Sequence, residues 1–202
     1  MPPRDHDVGA FHERAHGYEA GWLGEMHRQI VNRTIDIALA KAPEPECILD
    51  IGCGTGLLLR ELARRLPHAV ELVGVDPAAA MIDVAERSAP ADGRLRFLAG
   101  TAERLPLPDD AFDLVVSTTS FDHWADQAGG LVECARVMAP GAHLVLTDQF
   151  SLWLLPTGLL RRHRHRARTR RRASQLIRDA GLGDLTWHDV YAVIIRAATA
   201  TK

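Results

Sequence analysis

The chain has 202 residues, a mass of 22.2 kDa and a formal net charge of -2. A chain of this length folds as one domain by default and buries roughly 70% of its unfolded surface, so it needs no disulfide or metal to hold a core. The three cysteines (Cys47, Cys53 and Cys134) form no C-x-x-C pair, which argues against a disulfide framework and a zinc knuckle. No apolar run reaches the length of a membrane span and the first residues lack a secretory apolar core, so we expect a cytoplasmic protein.

The net charge hides an uneven distribution of basic residues. The segment from Arg161 to Arg172 carries eight arginines and no acid, and the remaining chain holds 16 basic and 26 acidic residues, a net charge of -10. A nucleic-acid-binding protein usually spreads its basic residues over a face or groove. The concentration of the surplus in one short run therefore argues against a nucleic-acid partner.

The first part of the chain has the period of a helix. Apolar residues recur at helical spacing between Val8 and Ala42, and Gly17 and Gly21 interrupt them, so we predict a short helix followed by a long one. Pro43 ends the second helix because proline disfavours helical geometry at the residue before it.

From residue 47 onward, short apolar runs that predict strands alternate with longer stretches that predict helices. Strands joined by helices of this size form right-handed crossovers and a mostly parallel sheet covered on both faces. We predict a doubly wound α/β fold of seven strands with an antiparallel edge strand, a helical cap over residues 1–44 and a main domain over residues 45–202. The predicted strands are 47–50, 71–75, 95–98, 112–117, 143–147, 185–188 and 190–195, and the predicted helices among them are 57–66, 79–87, 129–137 and 171–180.

Glycines occupy every second position after the first predicted strand, in the sequence ILDIGCGTG. Gly52, Gly54 and Gly56 stand where ligands collect in an open parallel sheet, and glycine serves where φ is positive or where a ligand must approach the backbone closely. The dinucleotide fingerprint would need glycine in place of Leu57, and no phosphate-loop motif is present. Asp50 would repel a pyrophosphate, so the ligand should bring a positive charge.

A second acid, Asp76, ends the second predicted strand, twenty residues after Gly56. A carboxylate at this place is the usual acceptor for the vicinal hydroxyls of a ribose. Asp76 before Pro77 is also a suitable helix N-cap, and Asp50 is suited to cap the glycine turn, but the spacing favours ligand roles for both. A ribose without phosphate, joined to a cationic group, describes S-adenosylmethionine.

Four sequence blocks resemble the class I S-adenosylmethionine-dependent methyltransferases, most closely the ubiquinone/menaquinone-biosynthesis-like (methyltransferase type 11) group. They are ILDIGCGTG, VGVDPAAAM, LRFLAGTAERLPLPDDAFDLVVST and ECARVMAPGAHLVLTD, in the order and spacing of the family. The resemblance implies a Rossmann-like fold, S-adenosyl-L-methionine as cofactor and methyl transfer as activity. It also implies cofactor contacts by Asp50, Gly52, Cys53, Gly54 and Gly56 (methionine part), Asp76 (ribose), Pro77, Met81, Thr101 and Ala102 (adenine), the Ser117 backbone (amino group) and Tyr18 of the cap.

Two positions depart from the pattern of the family. Thr101 stands where the family usually has Asp, so the contact to the adenine amino group is weaker or comes from backbone. Asp122 and His123 stand where relatives often have two histidines. His123 is the candidate catalytic base at the methyl-donor edge of the sheet. A histidine packed beside Trp124 can instead be a structural residue, and we favour this structural interpretation.

We predict methyl transfer by in-line displacement to a small apolar or aromatic acceptor, because the cap and the loops contribute Trp22, Leu23, Met26, Phe121, Trp124 and Trp153. One alternative is a nucleic-acid methyltransferase that uses the arginine run. It is disfavoured because the chain reads STTS where such enzymes carry a proline-containing motif that holds the flipped base. The second alternative is a non-catalytic module that binds S-adenosylmethionine. The acceptor and the oligomeric state stay open.

Two further features concern possible partners and metal ions. Residues 150–172 form an apolar and then basic segment, which fits a lid, a peripheral membrane contact or a dimer contact, and fits a solvated basic helix as well. Asp122, Asp126 and Asp148 do not have the spacing of a magnesium site, so we expect no metal.

Overall fold

The computed structural model describes residues 21–91, 93–150, 169–192 and 194–202. Seven strands and five α-helices lie within these ranges. The strands are β1 (Cys47–Ile51), β2 (Glu71–Asp76), β3 (Leu95–Ala99), β4 (Phe112–Thr118), β5 (Met138–Gln149), β6 (Gly183–Tyr191) and β7 (Ile195–Thr201). The helices are α1 (Gly21–Lys41), α2 (Leu57–Arg65), α3 (Ala79–Ser88), α4 (Gln127–Val137) and α5 (Arg170–Asp179), with a 3-10 helix at Phe121–His123.

The strands form one sheet in the order β3-β2-β1-β4-β5-β7-β6. The pairs β1 with β2, β1 with β4, β2 with β3 and β4 with β5 are parallel, and β7 pairs antiparallel with both β5 and β6. The predicted doubly wound, mostly parallel fold is therefore confirmed. The reversed strand is β7, which lies one position inside the edge.

Helices cover both faces of the sheet, and alternate strand residues face two separate cores. Along β1, Ile48 faces the core under α1, α2 and α3, whereas Leu49 faces the core under α4 and α5. Both side chains are fully buried. Because both faces are covered, the central strands are continuous apolar runs without polar alternation, which is why the sequence reveals them.

Helix α1 lies on the sheet with the apolar stripe that its sequence predicts. Val31, Ile35 and Ala38 are buried in the same core as β1 and α2. The hydroxyl of Thr34 donates a hydrogen bond of 3.1 Å to that of Thr147 on β5, so a buried polar contact fixes the helix along its axis. The boundary at residue 44 stays a prediction, and none of the helices in the described ranges is long and apolar enough to cross a membrane.

The boundaries predicted for the last two strands are wrong. The sequence suggested strands at 185–188 and 190–195, but β6 continues through Asp189 to Tyr191 and β7 begins at Ile195. The turn between them uses Ala192 at φ +48°, and alanine carries none of the turn signal that glycine or asparagine would give. Asp189, which the sequence placed between the two strands, lies in β6 and forms an ion pair of 3.0 Å with Arg196 of β7.

The ring of Phe97 on β3 fills space that two glycines leave open. A Cβ at Gly56 would lie 2.7 Å from this ring and 3.1 Å from Cβ of Ala85, and a Cβ at Gly74 would also lie 2.7 Å from the ring. Phe97 is itself buried, with 8% of its surface exposed. Close packing therefore requires glycine at both positions, and at Gly56 the positive φ of +76° requires it as well.

We predict that Gly56→Ala lowers the free energy of unfolding by about 2 to 4 kcal/mol, because a methyl group in left-handed backbone is strained and here also collides with Phe97. Urea unfolding measures the loss. Gly141→Ala is the matched control, since Gly141 also has a positive φ, +81°, but its Cβ would meet no atom within 4 Å, so we expect a loss of about 1 kcal/mol. Equal losses in the two variants would contradict the packing argument.

Candidate functional site

The carboxyl ends of the parallel strands bring the predicted acids and glycines to one edge of the sheet. The chain leaves β1 and β2 on one side of the sheet centre and β4 and β5 on the other, so the strand order reverses between β1 and β4. In open α/β folds such a reversal leaves a crevice at the carboxyl ends of the strands, and this crevice is the usual ligand site. Asp50 of β1, Asp76 of β2 and Ser117 of β4 all lie near this edge.

The three glycines after β1 all have left-handed backbone, with φ of +73° at Gly52, +52° at Gly54 and +76° at Gly56. A Cβ at Gly52 would lie 2.3 Å from Cβ of Ser120, and one at Gly56 would collide with Phe97. A Cβ at Gly54 would meet no protein atom within 4 Å. Of the three, Gly54 turns an open side outward, whereas the packing of the protein itself requires the other two.

The carboxylate of Asp76 ties the glycine loop to the start of α3. Its Oδ2 accepts the N–H of Gly54 at 2.9 Å, and its Oδ1 accepts the N–H of Ala78 at 2.8 Å. Burial raises the pKa of Asp76, and the two hydrogen bonds oppose that rise. Since each carboxylate oxygen has two lone pairs, both can accept one more hydrogen bond.

Asp50 is the least compensated acid of the site. Only 2% of its surface is exposed, and its Oδ1 is buried without a hydrogen-bond partner. Burial, together with the charge of Asp76, raises the pKa of Asp50 to about 8. A buried carboxylate with an unused oxygen in a crevice is a group for which a cationic ligand would compensate.

Three apolar side chains among the predicted cofactor residues are buried in the protein interior. Cys53 packs under the loop and its N–H bonds to the carbonyl of Val75, while burial raises the pKa of its thiol. Met81 packs beside Ala78 at the start of α3, and Ala102 belongs to the core under α4 and α5. The Cys53 thiol and the Ala102 methyl group therefore belong to the cores.

The remaining predicted residues lie around the crevice or outside the described ranges. Pro77 is exposed directly after Asp76, and Thr101 is partly buried, with its carbonyl accepting the N–H of Arg104. Ser117 is fully buried and its hydroxyl is 2.7 Å from that of Ser120. Tyr18 lies outside the described residues, and so do Trp153 and most of the arginine run.

The loop after β4 forms the other wall of the crevice. His123 ends the 3-10 helix there, is exposed, and donates its N–H to the carbonyl of Ser120. Trp124 and Phe121 are buried and pack edge to face with ring centroids 5.1 Å apart. These two rings, expected to face an acceptor, therefore belong largely to the core, and the role of His123 as a base stays a prediction.

The sequence did not reveal Ser120, whose hydroxyl contacts three groups of the site. It donates to the carbonyl of Ile51 at 2.9 Å, lies 2.7 Å from the Ser117 hydroxyl and accepts from Nε1 of Trp124 at 3.3 Å. No motif marks a single serine in a polar run. Its proximity to Gly52 would have been the only signal, and it appears only once β4 lies beside β1.

Two of the three acids that were considered as metal ligands accept hydrogen bonds from backbone N–H groups. Asp126 is the N-cap of α4 and accepts the N–H groups of Ala128 and Gly129, and Asp148 accepts those of Asp122 and Gln149. Burial raises the pKa of Asp148. Within the described part of the chain, no group of three or more His, Cys, Asp or Glu side chains is arranged to hold a metal ion.

Residues 49–146 match the sequence profile of a family described as a methyltransferase domain. This segment is a methyltransferase domain. It begins in β1 and ends in β5, so the glycine loop, Asp76 and Ser120 all lie inside it. Demethylmenaquinone methyltransferase of Thermus thermophilus is 45% identical over 117 residues, which are 57% of this chain and 52% of that protein. The chain spans about half the length of the curated relatives it matches.

Solved structures of other proteins have the same fold as this chain. An S-adenosylmethionine-dependent methyltransferase from Aquifex aeolicus has a TM-score of 0.68 and 17% identity, covering 83% of this chain and 88% of that one. The [4+2]-cyclase SpnF has a TM-score of 0.70 and 20% identity, covering 91% of this chain and 84% of that one. Similarity at these identities shows the fold alone, and the same fold hosts a methyltransferase and a cyclase.

We predict that Asp50→Asn makes the free protein relatively more stable as pH rises. The pKa of Asp50 is raised to about 8, so wild type loses stability between about pH 4 and pH 8 as the buried carboxyl must ionise, while the variant does not. The difference in unfolding free energy, variant minus wild type, should grow by at least about 1 kcal/mol between pH 5 and pH 9. Urea unfolding at both pH values measures it.

Asp76→Asn is the matched control for this experiment. Both oxygens of Asp76 accept backbone N–H groups, and an amide can accept only one of them while its own N–H₂ faces the other. We expect this variant to be less stable than wild type at both pH values. A difference for Asp50→Asn that is the same at pH 5 and pH 9 would show that Asp50 is not an uncompensated buried acid.

Proposed function

We propose that this chain binds S-adenosylmethionine at the carboxyl ends of β1 and β2 and transfers its methyl group to a small apolar or aromatic acceptor. The observation that carries the proposal is the pair of buried acids, Asp50 and Asp76, on either side of a loop whose middle glycine, Gly54, presents an open side. The methyltransferase domain covers these three residues.

Asp76 supports the ribose end of this assignment. Its two oxygens are held at fixed positions by Gly54 and Ala78 and each keeps one acceptor position. Two neighbouring hydroxyl donors match a carboxylate with two fixed and half-used oxygens. A helix N-cap role does not explain the geometry as well, because one of the two bonds reaches back to the glycine loop instead of into α3.

Asp50 supports the cationic end of the ligand. A dinucleotide would place phosphates against the glycine loop, where their charge would face the nearby Asp76 and would raise the pKa of the buried Asp50 still further. A ligand with a positive charge instead favours the ionised form of Asp50 and offsets the cost of its burial. The electrostatics of the site thus select a cationic nucleoside over a pyrophosphate.

Transfer requires alignment more than acid–base chemistry. Bound S-adenosylmethionine supplies a methyl group on a positively charged sulfur, a leaving group that is already activated. The protein holds the acceptor in line with the carbon–sulfur bond, and positioning of this kind is worth about 7 to 11 kcal/mol. His123, exposed on the loop after β4, is the proposed group to take a proton from a hydroxyl or amine acceptor.

The proposed acceptor class rests on the names of the relatives and on an exposed aromatic side chain of α1. The relatives include proteins named demethylmenaquinone methyltransferase. Trp22, at the start of α1, is 73% exposed and presents an aromatic surface.

We predict that the purified chain binds S-adenosylhomocysteine and S-adenosylmethionine with micromolar affinity in calorimetry, and that Asp76→Ala abolishes binding. Asp83→Ala is the matched control, because Asp83 is an exposed acid on the neighbouring α3 and its loss changes the charge equally. An S-adenosylhomocysteine analogue without ribose hydroxyls should bind wild type as weakly as the full ligand binds the variant. No binding to wild type would end the proposal.

We predict that Gly54→Ala weakens cofactor binding at least tenfold while it costs only about 1 kcal/mol of stability. The added methyl group meets no protein atom but projects into the open side of the loop, where the ligand would approach. Calorimetry and urea unfolding on the same samples separate the two effects. Unchanged affinity would place the ligand elsewhere.

The acceptor and the alternative functions are tested by turnover. Quinone-like and other aromatic acceptors are incubated with S-adenosylmethionine, and mass spectrometry detects the methylated product. Cofactor binding without turnover on any acceptor would favour a non-catalytic module. Affinity for nucleic acid that falls steeply with salt would favour the arginine run as a nucleic-acid contact.

A further inference from the structure

The hydroxyl of Ser120 is used to its full capacity. A serine hydroxyl has one hydrogen to donate and two lone pairs. Since Ser120 donates to the carbonyl of Ile51, it must accept from the Ser117 hydroxyl and from Nε1 of Trp124. One side-chain atom therefore joins three strands or loops of the site.

The bond to Ile51 ties two walls of the crevice that lie far apart in sequence. Ile51 is the residue directly before Gly52, so its carbonyl is the first backbone group of the glycine loop. Cβ of Ser120 stands where a side chain at position 52 would be, 2.3 Å from the ideal Cβ. Glycine at 52 and serine at 120 thus form one close contact, in which the loop after β4 seats directly on the loop after β1.

The loop after β4 is also anchored to β5 on its other side. Thr119 donates its N–H to the carbonyl of Thr147 at 2.7 Å, and Asp122 donates its N–H to Oδ2 of Asp148 at 3.0 Å. Thr119 has φ of +56°, which is a strained value for a β-branched residue. Strain of this kind persists only where the surrounding contacts fix the loop, so its position is determined from both sides.

We propose that Ser120 is a positioning residue that sets the distance between the cofactor loop and the wall that carries Trp124 and His123. The inference rests on the proposed function, because the distance matters only if a donor on one wall reacts with an acceptor on the other. In-line transfer tolerates little misplacement, and these walls come from β1 and β4, 69 residues apart. Ser120 makes them one unit.

Ser174 offers a matched control for the test. Its hydroxyl accepts a hydrogen bond of 3.1 Å from Nε1 of Trp187, so Ser174→Ala removes the same kind of serine–tryptophan bond between α5 and β6. Trp124→Phe provides a second comparison, because it removes the donor to Ser120 and leaves the bond to Ile51 in place. A difference between Ser120→Ala and both of these variants isolates the link to the glycine loop.

Hydrogen exchange of the ligand-free full chain tests the link, and calorimetry with S-adenosylhomocysteine tests its consequence. We expect Ser120→Ala to speed exchange at residues 50–57 about tenfold and to raise the dissociation constant about tenfold, with changes of about twofold or less in the two other variants. A merely structural role would lower the melting temperature of Ser120→Ala and Ser174→Ala alike and leave the affinity unchanged, which would overturn the proposal.

The two proposals fail differently. Unchanged exchange at residues 50–57 in Ser120→Ala overturns the positioning role even if wild type binds the ligand. Faster exchange in that variant, with no ligand binding by wild type, instead counts against the proposed function and removes the catalytic reason for the tie.

Discussion

The site depends on an unfavourable interaction, the burial of Asp50 beside Asp76 at the carboxyl edge of the sheet. Burial and the neighbouring charge raise the pKa of Asp50 to about 8, and its Oδ1 has no hydrogen-bond partner. A fold optimised for stability alone would place an apolar or neutral side chain there. A cation in the crevice would offset this cost, so the buried acid is the structural feature that points most directly to a ligand.

The glycine loop around these acids combines two different physical requirements. Gly52 and Gly56 are fixed by Ser120 and Phe97, which occupy the space of the missing side chains, whereas Gly54 is open. The closely packed outer glycines hold the loop still, and the middle one leaves room for a ligand. Gly52 and Gly56 thus keep the turn rigid, and Gly54 makes its backbone accessible.

The fold alone does not determine the chemistry, since the cyclase and the methyltransferase among the structural neighbours share it. What favours methyl transfer is local: the two acids, the open glycine and a second wall joined to the first through Ser120. Methyl transfer depends mainly on the alignment of donor and acceptor, and contacts that join the two walls keep that alignment. A clear constellation of catalytic acids and bases is not required for it.

The sequence by itself determined the fold class, the central strands and the position of two acids at the ends of β1 and β2, because buried parallel strands are continuous apolar runs and the glycine turn has a fixed spacing. It misplaced the boundary between β6 and β7, since Ala192 gives no turn signal. Only the tertiary structure decided that Gly54 is the open one among the three loop glycines, that Phe121 and Trp124 are core residues, and that Ser120 joins the two walls. These depend on contacts between strands distant in sequence, and local pattern carries no information about which side chain will fill a space left by another strand.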